Sequence, residues 1–323
     1  MERKFLAVFA ATALFLAGCM VGLNWYVDPF ARHASVDDGF DRGPAYTLNR
    51  RLFKLIAFDR WMAEHQGGPP SLVIGDSTAN QLDDEALTAI TGRPWYSMAF
   101  GGAGLNEMTE LADYVLDNYP VKEIVWGVPF TRMMGDVESD MPRSIEMANS
   151  PWKHMFTYEA LQASLLVLRS TWTGVGFNDP ALDTGGEDVV TYQLSRTKTE
   201  MSGRPWPAKE LAALAQTLAR AEERGIPVTI LIPPVHPRTA EMFRQDFADR
   251  YAQYREFLAP YCVVDFTTPE EASRWPAAMF GDSVHLSRRD KPLLTEALGR
   301  ALPAPCATTG PRNGKPQVTS AND

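Results

Sequence analysis

Two short stretches at opposite ends of the chain hold the residue types of nucleophilic acyl chemistry. Ser71-Leu72-Val73-Ile74-Gly75-Asp76-Ser77-Thr78 is an apolar run that stops at Gly-Asp-Ser, and Asp282-Ser283-Val284-His285 lies near the carboxyl end. A serine hydroxyl is a weak nucleophile until a neighbouring base removes its proton, and the base works best when a third group orients it. Ser77 offers the hydroxyl, His285 the base and Asp282 the orienting carboxylate. Asp282 and His285 are three residues apart on one predicted loop, so they can touch locally and only the serine must arrive from a distance. Acyl transfer also needs donors for the developing oxyanion. The candidates are the backbone N–H groups of Ser77 and of Gly101 or Gly102, since glycine permits close approach. Asp76 is expected to hydrogen-bond the loop rather than move protons. Weaker candidates for substrate contact are Asn106, Arg132 and His236, each with a plain alternative: a helix-start residue, a surface arginine, a turn residue. His33, His65 and His154 read as surface residues.

These groups need a rigid frame, and the chain's periodicity supplies one. Short apolar runs bounded by turn residues read as buried parallel strands. They are expected at Leu72–Gly75, Trp95–Ala99, Ile124–Val128, Val228–Ile232 and Cys262–Phe266. Helical spacing between and after them predicts helices at Gln81–Ile90, Leu105–Leu116, Ala208–Glu223, Ala240–Phe257 and Arg288–Ala301. The alternation predicts an α/β domain with a parallel sheet of about five strands. In such a sheet, ligand chemistry sits at the carboxyl ends of the strands, where Ser77 falls. Residues 131–205 interrupt the alternation with charged stretches, Trp152, Trp172 and one apolar helical piece at Tyr158–Leu168. They read as an insertion or cap, either peripheral or substrate-shaping.

Phe5 to Val27 contains no charged side chain over 23 residues, enough to cross about 30 Å of hydrocarbon. Arg3 and Lys4 precede it and Asp28 follows, which by the positive-inside rule puts the remainder outside the cytoplasm. An uncleaved anchor, a cleaved signal peptide and a lipoprotein signal (Leu16-Ala17-Gly18-Cys19 looks like a lipobox) all export the domain. The expected organisation is an anchor or uncleaved signal at 1–27, a tether and packing helix at 28–69, a catalytic domain at 70–302 with the insertion at 131–205, and a disordered tail at 303–323. Within the second segment, 31–45 reads as the tether and Tyr46–Glu64 as the helix.

The 323 residues carry a formal charge of −9. This argues against a nucleic-acid partner, whose phosphates call for clustered Lys and Arg. Three dispersed cysteines without CxxC spacing, and five histidines, argue against a zinc site; no metal or cofactor is expected. Whether Cys262 and Cys306 pair stays open, because sequence separation says nothing about the distance between their Cα atoms.

Taken together, Gly75-Asp76-Ser77, the glycine at 101 or 102 after the second strand, and Asp282-Ser283-Val284-His285 resemble the first, second and last blocks of the SGNH (GDSL-type) hydrolases. The resemblance covers roughly residues 70–300 and implies a flavodoxin-like three-layer sandwich and a Ser-His-Asp triad of Ser77, His285 and Asp282. The third block departs from the pattern. Where that family's Gly-x-Asn supplies a side-chain amide to the oxyanion hole, this chain reads Gly127-Val128-Pro129, and Pro129 has neither an N–H nor a side-chain donor. One amino-terminal membrane helix, an Asp-Pro exit and the order serine first, Asp-His last are similar to membrane-anchored envelope proteins such as DltD, which acts in D-alanylation of teichoic acids. That resemblance implies an extracytoplasmic or periplasmic esterase or O-acyltransferase tethered to the inner membrane. Its substrate would be an acyl ester of an envelope polysaccharide or polymer, with a membrane-bound O-acyltransferase as a possible partner. The contrasting reading is a non-catalytic scaffold that binds envelope glycan or a membrane partner.

Overall fold

In the computed structural model the described residues are 2–33, 38–65, 67–150, 152–174 and 186–302. The expected disordered tail, Cys306 and part of the 131–205 segment lie outside them. The chain divides into two compact units, one formed by residues 1–67 and 140–179, the other by 68–139 and 180–323.

The second unit is built on a five-stranded, all-parallel sheet. Its strands are β1 (Ser71–Ile74), β2 (Trp95–Ser97), β3 (Glu123–Gly127), β4 (Val228–Ile232) and β5 (Cys262–Asp265), in the spatial order β2-β1-β3-β4-β5. Register explains the two-sided core. Val73 pairs with Val125, Val125 with Thr229, and Leu231 with Val264, so these side chains share one face. That face packs against Leu87 of α4 (Asp84–Thr91) and Leu294 and Leu298 of α12 (Lys291–Ala301). Leu72, Ile74, Ile124, Trp126 and Ile230 alternate with them and are buried on the opposite face. The amphipathic helices α5 (Leu105–Asn118) and α9 (Ala208–Glu223) pack together and complete the α/β architecture. β1 connects outward to β2 while β3 connects the other way to β4. The order therefore reverses between β1 and β3, and the crevice at their carboxyl ends is where such sheets take ligands.

Local chemistry sets the helix limits. α4 starts where the Asp83 side chain accepts from Ala86 N and stops at Gly92, whose φ of +69° is left-handed. The helix expected over Ala240–Phe257 is two helices, α10 (Pro237–Asp246) and α11 (Ala248–Leu258), with Phe247 between them at φ −128°. Its start moves back to Pro237, whose fixed φ suits a first helical position. The 131–205 segment is more helical than its composition suggested. Besides α6 (Met141–Ala148) and α7 (Tyr158–Thr173), it contains α8 (Glu187–Ser202).

In the first unit, α1 (Glu2–Val27) is long and apolar enough to cross a membrane. It is followed by α2 (Gly43–Leu48) and α3 (Arg50–Glu64). The predicted single helix over Tyr46–Glu64 breaks at Asn49, whose side chain caps α3 by accepting from Leu52 N at 2.9 Å. The stretch expected as a tether at 31–45 is, where described, tied down: Arg42 donates to Val27 O at 3.1 Å and Asp28 O at 2.9 Å. His154 is buried, edge-on to Phe30, and not on the surface as its sequence context suggested. Burial holds its imidazole below the ordinary range, helped by the charge of Arg32.

Candidate active site

The loop after β1 is shaped by small residues. A Cβ on Gly75 would lie 2.5 Å from Ala79 Cβ, and one on Gly127 would lie 2.7 Å from the same atom. Glycine at both strand ends thus lets the turn after β1 settle against the end of β3. Asp76, buried beneath this turn, accepts from Thr78 N at 2.8 Å and Thr78 Oγ1 at 2.6 Å with one oxygen, and from Arg132 Nε at 2.7 Å with the other. Burial pushes its carboxyl up, but the charge of Arg132 and these hydrogen bonds outweigh it and hold the group below the ordinary carboxylate range. Asp76 is therefore an ionised brace for the nucleophile loop.

Ser77, next along, points the other way. Its Oγ lies 2.8 Å from His285 Nε2, and His285 Nδ1 lies 2.7 Å from Asp282 Oδ2. The other Asp282 oxygen accepts from Val284 N at 2.8 Å and His285 N at 2.7 Å, so the carboxylate folds its own loop as well as aiming the ring. Burial raises the Asp282 carboxyl, while the His285 contact and the two amides lower it further, leaving it below its usual value. An ionised carboxylate only accepts; Nδ1 must then carry a proton, and in the neutral ring Nε2 faces the serine hydroxyl with its lone pair. Three residues brought together across the fold thus have the relative positions of nucleophile, base and orienter.

Donors for an oxyanion are present on the backbone. Phe100 N donates to Gly75 O at 3.2 Å, pinning the end of β2 beside the nucleophile loop. Gly102, at φ +82°, adopts a conformation that side-chain-bearing residues rarely take. Among the described residues no acceptor takes the N–H of Ser77, Gly101 or Gly102.

The weaker candidates fare differently. Asn106 donates to Val137 O at 2.6 Å and accepts from Glu107 N at 2.9 Å; its amide staples the start of α5 to a neighbouring loop. His236 is buried and does not join the triad. Its Nδ1 accepts from Arg238 N at 3.2 Å, capping α10, and its backbone N–H donates to Ser283 O at 3.1 Å. Burial keeps its ring less basic than usual, in keeping with an accepting Nδ1. Arg132 is an ion-pair partner rather than a plain surface residue. Its Nε is taken by Asp76, its side chain is 25% exposed, and its two terminal nitrogens meet no acceptor among the described residues.

Two glutamines with no motif to mark them as site residues hold the two loops together. Gln81 donates to Thr78 O at 3.2 Å and accepts from Leu286 N at 2.8 Å, bridging the serine and histidine loops with one buried side chain. Gln193, on α8, accepts from both the N–H and the Oγ of Ser283 at 2.9 Å, and its amide nitrogen lies 3.4 Å from Asp282 Oδ2. Neither belongs to a motif; each is one polar residue whose partner is distant in the chain. Cys262 takes part in a disulfide; Cys306, the partner considered from sequence, lies outside the described residues. Among the described residues no cluster of three or more His, Cys, Asp or Glu side chains is arranged to hold a metal.

No protein-family model matches the chain, and no curated protein matches it. Among solved structures it is similar to one described as "a putative platelet activating factor from Streptococcus pneumonia", at 17% identity over 79% of this chain and 94% of the other, with a TM-score of 0.38.

Proposed function

We propose that the protein is a membrane-anchored serine esterase or O-acyltransferase of the SGNH (GDSL-type) kind, acting outside the cytoplasm on acyl esters of an envelope glycan or polymer. The observation that carries this reading is the continuous chain Ser77 Oγ–His285 Nε2 (2.8 Å) and His285 Nδ1–Asp282 Oδ2 (2.7 Å) at the carboxyl ends of a parallel sheet. Ser77 Oγ attacks the ester carbonyl as its proton passes to His285 Nε2, and Asp282 stabilises the imidazolium that forms. The oxyanion is received by the N–H groups of Ser77 and of Gly101 or Gly102. Collapse expels the alcohol, which takes the proton back from His285, and leaves an acyl-Ser77. Water or a sugar hydroxyl, deprotonated by His285, then releases the acyl group as acid or as a new ester. Pro129 occupies the place of the family's side-chain donor, so stabilisation of the oxyanion falls to the backbone N–H groups. The anchor reading is supported by the length and apolarity of α1 and by the basic residues before it.

The missing amide at Pro129 favours a second reading, a non-catalytic scaffold that binds envelope glycan or a membrane partner. A fluorophosphonate probe separates the two: wild type is labelled and Ser77→Ala is not. An unlabelled wild type would support the scaffold, and labelling of both would remove Ser77 as nucleophile. Product analysis with an acetylated and a D-alanylated donor, with and without a glycan acceptor, distinguishes hydrolysis from transfer.

A further inference from the structure

Within the first unit, the apolar run of α1 ends where folded structure begins. Phe5 to Leu23 is 19 residues, about 28 Å of helix against roughly 30 Å of hydrocarbon. Residues 2–19 are exposed along their length. Asn24, one residue past the apolar run, is buried: its amide donates to Met155 O at 2.7 Å and its carbonyl accepts from Ser164 Oγ at 2.9 Å. With Arg42 holding Val27 O and Asp28 O, α1 enters the unit without a loose joint. Trp25 and Tyr26, half to three-quarters exposed, thus stand at the depth of the lipid headgroups whenever α1 crosses a bilayer.

Other aromatic side chains gather at that level. Trp152 stacks on Trp25 with ring centroids 5.9 Å apart, and Phe156 follows Met155, the residue that Asn24 holds. α7 touches the end of α1 through Ser164 and, because residues 2–19 of α1 are uncovered, does not run beside the span. Its inner face is Ala160, Ala163, Ser164, Val167 and Ser170. Its outer face presents Tyr158, Leu165 and Trp172, which are 77%, 53% and 78% exposed. Seven residues apart, they sit two turns from one another on a single stripe. Outside α1 the described residues include eight large exposed apolar side chains, and five of them fall between Trp152 and Trp172. The patch is thus a concentrated surface and not the scatter found on ordinary soluble proteins.

We infer that Trp152, Phe156 and the Tyr158–Leu165–Trp172 stripe rest on the headgroup layer of the bilayer that α1 crosses, so that the unit lies on the membrane and is not merely hung from it. The occupant is lipid. Tryptophan and tyrosine pair an apolar ring with a polar tip and favour that layer, and a helix with one apolar outer stripe lies in its plane. The patch is continuous, through Trp25 and Asn24, with a segment already at that depth. The inference rests on the reading of α1 as an uncleaved span.

The test is photo-cross-linking of the full chain in phosphatidylethanolamine–phosphatidylglycerol vesicles. A benzophenone-bearing residue is placed singly at Leu14, Trp152, Tyr158, Trp172 or Tyr192. Lipid adducts are expected at 14, 152, 158 and 172, several-fold above those at Tyr192, an equally exposed aromatic of the other unit. Adducts at 14 with only background at 152, 158 and 172 overturn the surface and leave the anchor standing. No adduct at 14 removes the anchor and the surface with it. Equal labelling at Tyr192 overturns the inference by showing contact without selectivity. Protein adducts in place of lipid adducts at 152 and 158 in native membranes overturn it in favour of a protein partner.

Discussion

Replacing Asp282 with asparagine changes one atom and should reverse the proton arrangement of the site. One carboxylate oxygen faces two backbone donors, Val284 N and His285 N at 2.8 and 2.7 Å, and the other faces His285 Nδ1 at 2.7 Å. In Asp282→Asn the carbonyl must stay with the two backbone N–H groups, because the amide nitrogen would oppose both. The NH2 therefore takes the second position and donates to His285 Nδ1. That forces the ring proton onto Nε2, which then points a donor at Ser77 Oγ, 2.8 Å away, and can no longer accept the serine proton. In a Ser-His-Asp site this change of tautomer lowers turnover by about 10⁴-fold, or roughly 5 kcal/mol at 1.36 kcal/mol per decade. The assay is the rate of Ser77 labelling by a fluorophosphonate, with ester hydrolysis in parallel, Ser77→Ala as background and circular dichroism as the check on folding. A folded Asp282→Asn protein reacting within about ten-fold of wild type, with no reaction in Ser77→Ala, would refute the assignment of His285 as a base oriented by Asp282, since the expected loss is a thousand times larger than that margin.

Other consequences are accessible to the same preparations. Gln193→Leu removes the acceptor of the buried Ser283 N–H and hydroxyl. It should destabilise the protein by about 1–3 kcal/mol in a denaturant melt and slow Ser77 labelling; an unchanged melt would show that Gln193 does not hold the Asp282 loop. Gly75→Ala places a methyl 2.5 Å from Ala79 Cβ and should cost about 1–3 kcal/mol by overpacking. Adding Ala79→Gly should restore part of that stability, and a double variant no better than the single would mean that the clash is with the β3 backbone instead. Arg132→Met should leave Asp76 as a buried carboxylate without its countercharge, a loss of about 3–5 kcal/mol. Because the folded carboxyl lies below its unfolded value, its stabilisation is complete above about pH 4 and is lost as pH falls through the folded value. Without Arg132 only the Thr78 hydrogen bonds oppose the effect of burial, the folded value rises, and the acid-unfolding midpoint followed by circular dichroism should move to higher pH; an unmoved midpoint would remove Asp76–Arg132 as a stabilising pair.

How much of this was legible in the chain depended on whether a feature is local. Each expected strand overlaps an observed one, because a run of apolar residues bounded by glycine, proline or a charge is a short-range signal that a buried parallel strand leaves in its own sequence. The long apolar run of α1 is of the same kind. The Asp282–His285 contact was readable because the partners are three residues apart, and the glycines at 75 and 102 mark backbone that tolerates no Cβ or favours positive φ. Helix breaks at Asn49 and Phe247 were not readable, since the apolar period runs through both; at Asn49 one capping hydrogen bond tips the backbone out of the helix.

Only the tertiary structure settled what polar side chains do once they meet partners far along the chain. Gln81 and Leu286 are 205 residues apart, Gln193 and Ser283 are 90 apart, and Asn24 and Ser164 are 140 apart. Asn106 and His236 had the composition of substrate contacts, and folding engaged both in holding loops. Arg132 read as an ordinary surface arginine until the sheet placed the end of β3 beside β1 and gave it Asp76. Strand position is written in local hydrophobicity. The partner of a hydrogen bond is selected by distance and angle between groups that share no neighbourhood in the sequence, so the residues that meet at Ser77 were visible from their types while the polar contacts that position them were not.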